Sequence, residues 1–195
     1  VDNQLALELS LPGSDSRFGL NIIARPSPNI IKEIQFIQNC FQQVEPDQYY
    51  YPLQDLHLTV LEICFGRSQQ EANNIASSVK PLLPEILRGL PTPRLDSPML
   101  VFDTQALALC FLQTDETLQT VRAMVRERLL ASGITMDSRY NPRSAHVTIM
   151  RYVMNLKSPI GRWIETLLDT PVQQCLKWSI DGLLLTWGAN WYGMR

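Results

Sequence analysis

The feature that most narrows the folds open to this chain occurs twice: His57-Leu58-Thr59-Val60 and His146-Val147-Thr148-Ile149, each His, apolar, Thr, aliphatic. The sequence holds only two histidines, and both stand in these tetrads. With 11 threonines among 195 residues, chance would place Thr two positions after both histidines with a probability of about 0.003. Each tetrad lies in a run that reads as a strand, Leu56 to Phe65 and Ala145 to Met154, apolar and β-branched with a single charged residue. Side chains alternate along a strand, so His57 and Thr59 share one face, about 6.6 Å apart along the backbone, while Leu58 and Val60 share the other. The same parity joins His146 to Thr148 and turns Val147 and Ile149 toward a core. An imidazole and a hydroxyl at matching places on two strands describe a lined cleft between two related halves.

Two imidazoles facing one cleft suit paired acid and base chemistry, because an ordinary pKa of about 6.5 allows one to be neutral and the other protonated near pH 7. Threonine hydroxyls can donate to an anion held between them. They make a poor zinc site, since a catalytic zinc wants three protein ligands and neither Asp55 nor Glu62 stands at a second ligand's spacing from a histidine. No metal and no cofactor are expected. A phosphodiester fits the arrangement.

The two tetrads resemble those of the two-histidine (2H) phosphoesterase superfamily, which has two His-x-Thr-x motifs on pseudo-symmetric lobes. The 89-residue separation and the continuation of the second copy to Arg151, His-Val-Thr-Ile-Met-Arg, are similar to the bacterial 2'-5' RNA ligase-like and cyclic phosphodiesterase branch. The resemblance implies an α+β fold of two lobes, each a mainly antiparallel sheet packed by helices, with the cleft between them. It implies metal-independent hydrolysis or transfer at a 2',3'-cyclic phosphate or 2'-5' linkage of a nucleotide or RNA end. His57 and His146 would be base and acid in an order the sequence leaves open, and Thr59 and Thr148 would hold the non-bridging oxygens. RNA-end trimming, 2'-5' ligation and a nucleotide-binding module without turnover are the alternatives. Further substrate contacts are Arg151, Arg143, Tyr51, Tyr140 and Tyr192, the last by likeness to a family tyrosine on a C-terminal glycine loop. By strict alternation Arg151 faces away from His146 and Thr148 unless a bulge intervenes.

The whole chain, 1–195, reads as one two-lobed domain built from two repeats whose lobes may exchange strands, of a length that buries roughly 70% of its unfolded surface. No apolar run reaches about 18 residues and no basic-then-apolar leader opens the chain, so no membrane partner is expected. Cys40, Cys64, Cys110 and Cys175 are scattered in apolar surroundings and read as buried free thiols of a cytoplasmic monomer. Cys64, seven residues beyond His57, is weighed as a nucleophile and set on the opposite face. A net charge of -2 argues against a broad nucleic-acid footprint, but 13 arginines to 4 lysines, with Arg139, Arg143 and Arg151 around the second tetrad, suit bidentate phosphate contacts and a small ligand or RNA end.

Leu5, Leu7, Leu9 and Leu11 alternate, as in an edge strand or a loosely attached arm. Phe18 to Arg25 reads as a central strand, and a helix follows to about Gln43. Tyr49, Tyr50 and Tyr51 are either a base-stacking platform or strand packing. A helix from Gln69 to Leu87 is kinked or ended by Pro81 and Pro84. A proline-rich turn, Pro91 to Pro98, precedes strands at Met99 to Phe102 and Ala106 to Leu112, and then a helix runs to Ala131. A helix at Ile160 to Leu168 turns Trp163 inward, and a hairpin of Val172 to Ile180 and Leu183 to Trp187 closes the chain.

Overall fold

A computed structural model describes residues 1–139 and 141–189. Tyr140 and Tyr192 lie outside the described residues.

The chain opens with helix α1 (Asn3–Ser10), where an edge strand or loose arm was expected. Asp2 caps it by accepting from the Leu5 amide, and on a helix the alternating leucines point around the cylinder. Only Leu5 enters the core; Leu7, Leu9 and Leu11 stay exposed. Strand β1 (Phe18–Ala24) then leads into α2 (Pro28–Gln42), which starts at a proline, where the missing amide costs nothing, and buries Ile30, Ile34, Ile37 and Phe41 at helical spacing. A two-residue strand β2 (Tyr49–Tyr50) and a 3-10 turn precede the first motif strand, β3 (Leu58–Arg67). Prolines divide the next helical stretch, as expected, into α3 (Gln69–Val79), a 3-10 turn and α4 (Leu83–Leu87).

In the second half, β4 (Arg94–Phe102) starts earlier than expected. It passes through Pro98 by a register shift between Asp96 and Met99, an irregularity that tolerates a residue without an amide donor. Strand β5 (Ala106–Gln113), helix α5 (Thr117–Ala131), the second motif strand β6 (Ala145–Arg151) and helix α6 (Ile160–Asp169) follow. Trp163 is buried on α6 against Phe41, Phe102 and Tyr152. The expected closing hairpin does not form. Strand β7 (Trp178–Ser179) pairs with β4, whereas β8 (Leu184–Ala189) pairs with β1.

The resulting antiparallel sheet runs β7-β4-β5-β6-β3-β1-β8, with β2 added to β6. Its edges β7 and β8 are joined by residues 180–183, which span at most about 18 Å. A flat sheet would hold those edges about 29 Å apart, so the sheet curls and brings them toward each other. Its two halves, β8-β1-β3 and β6-β5-β4-β7, meet where Leu58 pairs with Val147, the one residue pair joining β3 and β6. The first runs β1, α2, β3, α3 apart from the short β2, and the second runs β4, β5, α5, β6, α6, the same order with one strand added in front. Segments cross between them: β2, from the first half, pairs with β6, and Asp137, from the second, bridges β3 at Cys64. Helix α5 lies against β3 and α2 against β6, so the core is continuous across both lobes.

Candidate active site

The single Leu58–Val147 pair sets the geometry of the four motif residues. Both side chains are buried toward the helices, so the residues beside them face the other way. Carrying the antiparallel register one step in each direction puts His57 opposite Thr148 and Thr59 opposite His146, all on one face. The two halves thus place one imidazole and one hydroxyl each into a common patch.

The imidazoles have different supports. His57 Nδ1 lies 2.7 Å from the Asp55 carbonyl, in the turn just before β3. A carbonyl only accepts, so Nδ1 carries the proton and the neutral ring presents its Nε2 lone pair. His146 Nδ1 lies 2.8 Å from the Ser144 hydroxyl, which can donate or accept. Burial is the main cause that lowers both imidazole pKa values from the usual 6.5; Arg25 adds to it at His57, and Arg122 and Arg151 add to it at His146.

Three residues after each histidine the strand carries an extra residue. On β3, Thr59 pairs with Ile23 and Leu61 with Ile22, leaving Val60 unmatched; on β6, Thr148 pairs with Ala108 and Met150 with Leu107, leaving Ile149 unmatched. A side chain from the helix across the lobe junction takes up each bulge carbonyl. Arg122 donates to Val60 at 3.1 Å, and Gln38 donates to Ile149 at 2.9 Å. Because a bulge reverses the alternation beyond it, Arg151 lines the same cavity as His146 and Thr148. This corrects the face that strict alternation gives it. The matching position on β3 holds Glu62, a buried carboxylate paired with Arg139 at 2.7 Å, so the lobes differ in charge at equivalent places.

That cavity, of about 300 Å³, is lined by Ser144, His146, Thr148, Arg151, Cys110 and the end of the β4–β5 hairpin. Arg151 is held by Asp2 at 2.9 Å and by the Tyr51 hydroxyl at 3.2 Å. The Tyr51 ring is buried and packs edge-on against Tyr49, while Tyr49 and Tyr50 pair with β6, so the tyrosine run is strand packing. Arg143 is exposed and does not line the cavity; its carbonyl accepts from Gln113 and Gln119. Cys64 is buried, as expected, but Cys175 is exposed. The cysteine beside the motif is Cys110, the register partner of His146 on β5, with its thiol pKa raised by burial. Sequence reasoning missed Asp2, Cys110 and Ser144. Only Ser144 carried a signal, standing two residues before His146 and hence on its face.

Among the described residues, no group of three or more His, Cys, Asp or Glu side chains is placed to hold a metal ion. Nor is any helix among them long and apolar enough to cross a membrane.

The curled two-lobed sheet is the fold of solved phosphoesterase structures. One phosphoesterase crystal structure superposes with a TM-score of 0.57 at 16% identity, covering 86% of each chain. E. coli LigT without ligand gives 0.55 at 18% identity over 87% of each. An Agrobacterium tumefaciens protein of unknown function gives 0.60 at 12% identity, covering 91% of this chain and 87% of that one. LigT has also been crystallised with 3'-AMP, with NADP+ and with ATP. No family model matches the sequence, and no curated protein does.

Proposed function

We propose that this chain is a phosphoesterase of the two-histidine type, cleaving 2',3'-cyclic phosphate or 2'-5' phosphodiester bonds of nucleotides or RNA ends without a metal. The observation that carries this is the patch of His57, Thr59, His146 and Thr148 around the Leu58–Val147 pair, to which both lobes contribute. The nucleotide complexes of LigT, which shares the fold, support a nucleotide as the ligand class.

His57 is the better base, because the Asp55 carbonyl keeps its proton on Nδ1 and leaves Nε2 to accept. In hydrolysis Nε2 takes a proton from water as the water oxygen bonds to phosphorus. The bond from phosphorus to the ribose oxygen breaks, and that oxygen takes a proton from Nε2 of a protonated His146. Burial disfavours the imidazolium, and the phosphate anion of the substrate restores it. Thr59 and Thr148 donate to the non-bridging oxygens, where charge grows, and Arg151 adds a cation from the His146 side.

The test is hydrolysis of the four 2',3'-cyclic mononucleotides in excess EDTA across pH 5 to 9. Wild type should turn over, and His57→Ala and His146→Ala should each lose about 10²–10⁴-fold in kcat. Retained activity in both variants overturns the mechanism. Turnover of RNA ends or 2'-5' oligomers alone moves the substrate to RNA, and binding without product leaves a nucleotide-binding module.

A further inference from the structure

The motif strands β3 and β6 share one residue pair and then part, so something else must hold them at a fixed separation beyond it. Arg122, on α5, occupies that place. It is 3% exposed, and its guanidinium donates through Nε to the Val60 carbonyl at 3.1 Å and through Nη2 to the carbonyls of Thr59 at 3.1 Å and Ser144 at 2.9 Å. Thr59 and Val60 belong to the first motif strand; Ser144 stands two residues before His146 and bonds its ring. One rigid, planar fork therefore joins the backbone of the first motif to the residue that supports the ring of the second.

We propose that Arg122 is a positioning residue for the phosphoester chemistry, clamping β3 to the entry of β6 so that the two His-x-Thr pairs stand one phosphodiester apart. The inference rests on the proposed function, and it assigns a role to a residue that lies outside both motifs.

The opposite junction shows why the charge matters. There Gln38, a neutral amide, satisfies the Ile149 and Tyr51 carbonyls. An amide is enough to hold a bulge carbonyl, and burying a guanidinium is costly by comparison. The Arg122 charge acts on His146, as the Arg25 charge acts on His57 from β1's end. The charged and titratable groups around His146 are Arg122 from α5, Arg151 from its own strand, Asp103 from the β4–β5 turn, Cys110 from β5 and His57 beside β3. Arg122 stands first among the charges that hold His146 below its usual pKa, after burial itself. The Arg122 charge thus adds to burial in disfavouring the protonated form of His146.

Three variants separate clamp from charge. Arg122→Gln keeps a donor and loses the charge; Arg122→Lys keeps the charge and loses the planar fork; Arg122→Met loses both. Histidine titration by ¹⁵N-resolved NMR of the full chain needs no turnover. In Arg122→Gln the His146 pKa should rise toward 6.5, while in Arg122→Lys it stays low. With 2',3'-cyclic nucleotides, Arg122→Lys should lose kcat by about 10²-fold with KM nearly unchanged, as expected when reacting groups are misplaced by about an ångström. Circular dichroism checks folding, and if Arg122→Met does not fold, the Lys and Gln pair decides. An unmoved His146 titration in Arg122→Gln, or wild-type kcat in Arg122→Lys, overturns the proposal. Should wild type turn over no phosphodiester, the function fails separately; the clamp is then read from the His146 titration alone, expected to move toward 6.5 in Arg122→Gln and overturned by an unmoved value.

Discussion

At His57 and His146 the burial that shapes the cleft also sets a pH dependence. Both imidazoles have pKa values lowered from 6.5, first by desolvation, so the folded state binds these protons less readily than the unfolded chain does. Between the folded value and 6.5 the unfolded state carries more protons, and stability rises with pH across that window. The contribution is complete above 6.5 and is lost as pH falls through the folded values. Urea unfolding of wild type should therefore weaken below pH 6.5, and a His57→Gln/His146→Gln double variant should show a flatter slope there. Equal slopes would mean that these rings are not the titrating groups. The acid limb of kcat/KM should likewise fall below pH 6.5, where the base His57 takes up its proton. Strand alternation is local, so the pairing of His57 with Thr59 and of His146 with Thr148 could be read from the letters alone. Arg151 could not be placed that way, because its orientation depends on an extra residue at Ile149 whose carbonyl is held by Gln38, 111 positions away in sequence.

The bulges are the elements on which the arrangement turns, and Gln38 offers a clean way to perturb one. Its amide donates to the carbonyls of Tyr51 and Ile149, both at 2.9 Å, in a buried setting. Gln38→Met keeps much of the volume and removes both bonds; the Ile149 carbonyl still accepts from the Tyr51 amide at 3.1 Å, so the cost of about 1–3 kcal/mol falls on the Tyr51 carbonyl. That corresponds to a Tm lower by about 2–4 °C for each kcal/mol in a chain of this size. Because the β6 bulge aims Arg151, KM for a phosphodiester substrate should rise more than kcat falls. An unchanged Tm in thermal unfolding would show that the Tyr51 carbonyl finds another partner. Helices with an apolar stripe and a clear start, α2 and α5, were legible for the same reason that the motif strands were. The stretch of alternating leucines was not, because a cap at Asp2 and one core-facing residue, Leu5, favour a helix over the strand that period two implies. The last two strands misled differently: β7 and β8 are separated in sequence by a turn, yet their partners β4 and β1 lie in different lobes, and no short-range signal carries that choice.

For the whole molecule, strand exchange makes the lobes depend on each other. The first lobe's sheet is completed by β8 from the chain's far end, its segment β2 is paired to β6, and its strand β3 is bridged by Asp137 from the second lobe. Arg151 adds an ion pair to Asp2, drawing the α1 arm onto the second motif. A lobe released from its partner would expose sheet edges and lose one wall of its core. The expected behaviour is therefore a single cooperative transition in urea, with the same midpoint by far-UV circular dichroism and by tryptophan fluorescence, to which the buried Trp163 and Trp178 of the second half contribute. Deleting residues 184–195 removes β8 and uncovers β1, so the truncated chain should lose the native fluorescence of the second lobe along with the structure of the first. If that lobe instead kept its own transition, the halves would be independent domains, and the cleft between them would be an interface free to open.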